Sequence, residues 1–240
     1  HPAGRKELDD LKPLLEARPE EICYLDIETT GLSNTPLFLV GLMYSESAAG
    51  ADSISAIGGF SEGDGISGTG GLSEGDGISG AGDTSGGGSI SGARERRLVL
   101  DLLFARDYTE ERMVLLFLAG IFSRFTTLVT FNGMTFDMPF IMERMAAHRI
   151  ACTPPATHVD LLRVARRAVG RKTPNHKLQT LEVFLLGRKR KGDIPGSRIP
   201  GAYHEFVRTG DAGEMAAVIH HNRLDLYSML ELVTLFLSGR

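Results

Sequence analysis

Residues 24–32 read "YLDIETTGL" and set two carboxylates two positions apart inside an apolar, β-prone run. On a strand, Asp26 and Glu28 project from the same face. There, like charges repel and burial is costly. Such a face either meets water or holds something positive between the two carboxylates. Taken alone, Asp-x-Glu reads as a solvent-facing edge, so the decision lies with the rest of the chain.

Working outward, residues 22–27 and 37–44 read as strands rich in Ile, Leu, Val and Tyr, separated by "TTGLSNTP". A third strand, "RRLVLDLLF" (96–104), follows a long interruption. The pattern then turns helical in "YTEERMVLLFLAGIFSRF", with Thr109 as N-cap and two glutamates in the first turn. "TLVTF" (127–131) is a short buried strand, and "FDMPFIMERMAAHR" a helix opened by Asp137 with Pro139 in its first turn. A short strand at 156–159 leads into two more helices, "THVDLLRVARRAVG" and "KLQTLEVFLLG". A Pro/Gly-rich loop is expected over 187–210, then a capping box at Asp211 and Glu214 and helix to about Leu237. This order predicts an α/β domain: a ribonuclease-H-like mixed five-stranded sheet flanked by helices.

The interruption, residues 46–93, contains the near-copies "GFSEGDGISGTG" and "GLSEGDGISGAG", and 16 of the chain's 29 glycines fall between Gly50 and Gly92. Such a segment cannot bury enough apolar surface to offset its ordering entropy, so it is expected as a disordered Gly/Ser-rich insertion between strands 2 and 3. Closing a loop of this length costs roughly 2 kcal/mol more than a tight turn, which a sheet tolerates. Two copies of a twelve-residue unit are also too few for a calcium-binding β-helix.

The remaining composition describes one domain of 240 residues with a net charge of −4, long enough for a substantial core. Cys23 and Cys152 are too few for a disulfide framework and read as buried thiols in a reducing compartment, consistent with a cytoplasmic location. No apolar stretch reaches membrane-spanning length, so no membrane partner is expected. The first residue is His1 rather than Met, as in a fragment or trimmed chain, and no leader pattern opens it.

Two further carboxylates change the reading of Asp26 and Glu28. Asp137 stands just after the "FNG" turn, and Asp225 lies among apolar residues in "HHNRLDLYSML". The ordinary roles are an N-cap for Asp137 and an arginine pair for Asp225. A ribonuclease-H-like sheet would instead bring all four to one edge, where hard divalent cations prefer oxygen ligands.

The segments "DIETTGL", "FNGMTFDMPF" and "HNRLD" resemble, in order and spacing, the three motifs of the DEDD 3′–5′ exonuclease superfamily, and most closely its YprB-like branch. "HVDLL", "KLQTLE" and "GDIPGSRIPGAY" extend the resemblance over nearly the whole chain outside the interruption. It implies that Asp26, Glu28, Asp137 and Asp225 bind two Mg²⁺ or Mn²⁺ ions. It further implies hydrolysis of phosphodiesters at single-stranded 3′ ends of DNA or RNA. An endonuclease with the same metals, or a non-catalytic nucleic-acid-binding scaffold, are the alternatives.

The superfamily carries a fifth residue upstream of the last Asp, His at five positions or Tyr at four; here His220 and His221 occupy those spacings. On a continuous helix His221 lies within roughly 40° of the Asp225 face and His220 about 140° away, which favours His221 as the base. A new helix starting at Asn222 would admit His220 instead. From Arg163 to Arg198 there are eleven Lys/Arg against two acids. Of these, Arg166, Arg167, Arg171, Lys172 and Lys177 are the expected phosphate contacts, while "RKRK" (188–191) reads as a solvated run. Asn132 is placed to hydrogen-bond a terminal nucleotide, and Phe131 and Phe136 are expected in the core.

Overall fold

A computed structural model describes residues 5–47 and 96–238. The order of elements is helix α1 (Arg5–Glu16), strands β1 (Ile22–Thr29), β2 (Leu37–Ser47) and β3 (Arg96–Phe104), and helix α2 (Glu111–Phe122). Strand β4 (Thr127–Thr130), helix α3 (Asp137–Ala147) and strand β5 (Thr157–Asp160) follow. Four helices complete the chain: α4 (Leu161–Val169), α5 (Leu178–Leu185), α6 (Ile199–Thr209) and α7 (Gly213–Ser238). The expected insertion (46–93) falls outside the described residues, except that Glu46 and Ser47 continue β2. By contacts the chain divides into one unit of residues 1–46 and 98–240 and a second of 47–97. The sheet and helices below belong to the first.

The five strands are ordered β3-β2-β1-β4-β5, with β1 antiparallel to β2 and parallel to β4, and β4 parallel to β5. This is the mixed ribonuclease-H-like sheet that the element order predicts. Tyr24 of β1 pairs with Met43 across one edge and with Val129 across the other. These three join Leu226, Met229, Leu232 and Val233 of α7 in one buried cluster. Side chains alternate along a strand, so Asp26 and Glu28 project from the same face as Tyr24. The two carboxylates therefore point to the α7 side of the sheet.

Several local expectations are corrected. Thr109 does not cap α2: its hydroxyl is turned to Asp107, and the helix starts two residues later. The loop expected over 187–210 contains α6, whose Ile199, Ala202 and Tyr203 are buried. Pro200 sits in the first turn of α6, where it is tolerated. Gly210 closes it in the left-handed conformation at φ 76°. The capping box at α7 is not formed either. Asp211 accepts the Gly213 amide hydrogen at 2.9 Å, but Glu214 is drawn to Arg198. Helix α1 was not anticipated; Leu11 and Leu14 bury its inner side, and it packs on α4 and α7.

Candidate active site

The site is assembled where the parallel strands end. Past β4, Asn132 takes a left-handed φ of 67° and Gly133 lets the chain turn back over Thr130, whose Oγ1 would lie 2.4 Å from a Cβ at that position. Asp160 at the end of β5 pins this turn by accepting the amide hydrogens of Asn132 (2.8 Å) and Met134 (3.2 Å). It also accepts from Leu162 at 3.0 Å, capping α4. Asp160, in the "HVDLL" segment, is thus a scaffold residue. The turn delivers Asp137 as the first residue of α3, buried against β1. The cap position itself falls to Phe136.

Asp225 comes from the opposite side, on α7. That helix runs unbroken through 213–238, so no new helix starts at Asn222. His221, one turn before Asp225, is buried, with its Nε2 3.8 Å from Asp225 Oδ2; His220 is exposed. Asn222 between them is fully buried, and its Nδ2 donates to Asp26 Oδ2 at 2.8 Å.

The four carboxylates lie near enough for their charges to act on one another. Burial, then the charges of Asp225, Glu28 and Asp137, hold the Asp26 carboxyl well above its ordinary range. Glu28 is raised in the same way by burial and by Asp225, Asp137 and Asp193. Burial pushes Asp137 to about 7, against hydrogen bonds from its own amide and that of Ile27. Asp225 is raised by burial against the pull of Arg190 and His221.

Arg190 corrects the sequence reading of 188–191 as a solvated run. Its side chain is 5% exposed. Its guanidinium donates to Glu182 of α5 (Nε at 2.8 Å), to Asp193 Oδ2 (3.1 Å) and to Asp225 Oδ1. Asp193 in turn bonds His221 Nδ1 at 2.7 Å. Neither Arg190 nor Asp193 was singled out from the sequence. A basic run looks alike whether solvated or folded inward, and only the odd acid at 193 in "RKRKGD" hints at the difference.

Asp26 and Asp225 open onto a cleft of about 560 Å³ shared with Phe131, Asn132, Arg166, Asn175, His176 and Lys177. Of the residues expected to contact substrate, Arg166, Lys177 and Asn132 line this cleft. Arg171 and Lys172 are exposed outside that lining, and Arg167 is paired with Asp10 of α1. Glu28 borders a second, smaller hollow beside Phe136, which packs its ring 5.7 Å from Phe140.

Among the described residues no three His, Cys, Asp or Glu side chains already stand close enough to hold an ion. The donor set nevertheless fits a hard divalent cation. It consists of carboxylate oxygens only, on three elements, with more negative charge than Arg190 can offset. Gathering them round an ion requires Asp225 to share itself between that ion and Arg190.

A family model of the RNase_H superfamily matches residues 74–237. The chain belongs to the RNase_H superfamily. This RNase_H-superfamily chain is also 36% identical over 109 residues to uncharacterized protein YprB of Bacillus subtilis (strain 168), a match covering 45% of this chain and 26% of YprB. Among solved structures it resembles the family B DNA polymerase of the hyperthermophilic archaeon Pyrobaculum calidifontis. The TM-score is 0.54 at 14% identity, over 92% of this chain and 25% of that one. The chain thus spans about a quarter of either protein. No helix among the described residues is long and apolar enough to cross a membrane.

Proposed function

We propose that this chain is a metal-dependent 3′–5′ exonuclease of the DEDD type that releases nucleotides from single-stranded ends. One observation carries the reading: Asp26 of β1 and Asp225 of α7 line one water-accessible cleft, Glu28 and the buried Asp137 of α3 lie near enough for their charges to act on Asp26, and His221 stands beside Asp225. A merely structural cluster has no reason to keep four mutually repelling acids at the end of a sheet.

Asp26, Glu28, Asp137 and Asp225 hold the metal ions. Bound Mg²⁺ or Mn²⁺, two per site, supplies Lewis acidity and water activation at the phosphodiester. His221 accepts the proton from the attacking water. Arg166 and Lys177 line the cleft and steer phosphates toward it, and Asn132 binds the terminal nucleotide. With a cleft of this size and few aromatics along it, contact is limited to a few terminal nucleotides.

The test is cleavage of 5′-labelled single- and double-stranded DNA and RNA with Mg²⁺ or Mn²⁺, beside an Asp26→Ala control. A ladder shortening from the 3′ end of single strands, absent in the control, is the expected result. Discrete internal cuts would make the enzyme an endonuclease, and binding without metal-dependent cleavage would make it a scaffold. His221→Ala is expected to lose roughly 10²- to 10⁴-fold in turnover while Mn²⁺ binding, followed by calorimetry, persists.

A further inference from the structure

The segment between α5 and α6 sends two side chains, Arg190 and Asp193, into the same buried space. The Asp193 carboxylate is only 9% exposed, and both of its oxygens are engaged. Its Oδ2 accepts from Arg190 Nη1 and from Gln179 Nε2, each at 3.1 Å, and its Oδ1 meets His221 Nδ1 at 2.7 Å. Arg190 is itself immobilised, forked between Glu182 and Asp225, and Ser228 closes the ring by donating to Glu182. This is more organisation than a surface ion pair carries, and it ends on a histidine whose other nitrogen faces Asp225.

We propose that Asp193 is a positioning residue that fixes the tautomer and ring orientation of His221, with Arg190 and Gln179 holding Asp193 in register. This rests on the reading of His221 as the proton acceptor. An ionised carboxylate only accepts hydrogen bonds, so the nitrogen against Asp193 must carry the proton. In the neutral form of the ring this leaves the lone pair on Nε2, on the Asp225 side, where a proton from water can be received. Although burial raises it, the Asp193 carboxyl lies below its ordinary range because His221 and Arg190 donate to it. Arg190 does a second task in the same place. By bonding Asp193 and Asp225 together it sets the spacing between the base and its neighbouring carboxylate.

Asp193→Asn tests this with almost no change of shape. Arg190 and Gln179 still donate on the Oδ2 side, so the amide oxygen must turn to them and the NH₂ group faces His221 Nδ1. That reversal forces the ring proton onto Nε2 and blocks the lone pair. The readout is ¹⁵N chemical shifts of histidine-labelled protein, with the His221 signals identified by their loss in His221→Gln. Wild type is expected to show the Nδ1–H form and Asp193→Asn the Nε2–H form. Turnover on a single-stranded substrate should fall roughly 10- to 100-fold with KM little changed. Mn²⁺ affinity should stay within about twofold, because the four proposed ligands are untouched.

A wild-type ring in the Nε2–H form overturns the proposal without need of any variant. So does an unchanged tautomer in Asp193→Asn, or an inverted one with full turnover. If the tautomers behave as stated but wild type cleaves no nucleic acid with either metal, the nuclease reading fails and the control of His221 by Asp193 stands.

Discussion

At Gly41 a single hydrogen atom separates β2 from α7. A Cβ there would lie 1.9 Å from Asn222 Oδ1 and 2.8 Å from Leu226 Cδ1. Gly41 pairs with Asp26 in the sheet, so the glycine lets Asn222 sit on the sheet and reach the Asp26 carboxylate. Gly41→Ala should therefore destabilise the fold by about 1–3 kcal/mol. It should also weaken Mn²⁺ binding by displacing Asp26; urea unfolding and calorimetry read the two effects separately. A glycine inside a strand marks close approach in general, but what approaches Gly41 is visible only once α7 is packed on the sheet. The four carboxylates were legible because each stands in an ordered motif. Arg190 and Asp193 were not, since their partners Glu182, His221 and Asp225 become neighbours only once α5 and α7 pack together.

Between elements, Glu111 does what no motif announces. From the start of α2 it accepts the Leu37 amide hydrogen of β2 at 2.8 Å. It also takes two hydrogen bonds from Arg144 of α3 at 2.7 Å each and contacts His148 at 2.7 Å. Burial alone would raise its carboxyl. The donors, Arg144 foremost, outweigh this and hold it below the ordinary 4.5. A depressed folded pKa adds stability above the unfolded value and loses it as pH falls through the folded one. Glu111→Gln should then cost about 3 kcal/mol at pH 7, and the gap in denaturant midpoints should narrow progressively as pH falls below the ordinary 4.5. Helix α6 carries the opposite lesson. Ile199, Ala202, Tyr203 and Phe206 have helical spacing, but Pro200, Gly201 and Gly210 around them spell a loop. Tertiary packing decides: Tyr203 stacks on Phe38 of β2 at 4.0 Å between ring centres.

Across the whole molecule, the succession of strands and helices along the chain is what let a mixed five-stranded sheet flanked by helices be expected from the sequence, while the strand order β3-β2-β1-β4-β5 comes from the structure. The repeats of the Gly-rich segment lie outside the described residues. If the carboxylates bind metal, Mn²⁺ at about 100 times its Kd adds roughly 2.7 kcal/mol. Thermal unfolding should then rise by several degrees in wild type and not in Asp26→Ala. The basic rim makes a separate prediction. Arg166→Ala with Lys177→Ala should lower the slope of log affinity against log salt for single strands by about 1.4, two contacts' worth. Residual affinity should be alike for all sequences.

The hydrogen bond from Asn222 to Asp26 joins residues 196 positions apart. Contacts of such separation form late, because their loop entropy is repaid only when the intervening chain is in place. During synthesis, β1 and α3, with Asp26, Glu28 and Asp137, leave the ribosome before Asp225 and His221 are made. The cleft is therefore without its last wall until the ribosome has delivered α7. On the proposed reading, a chain stopped short of that helix carries three of the four acids without Asp225 or His221 and is expected to show no metal-dependent cleavage.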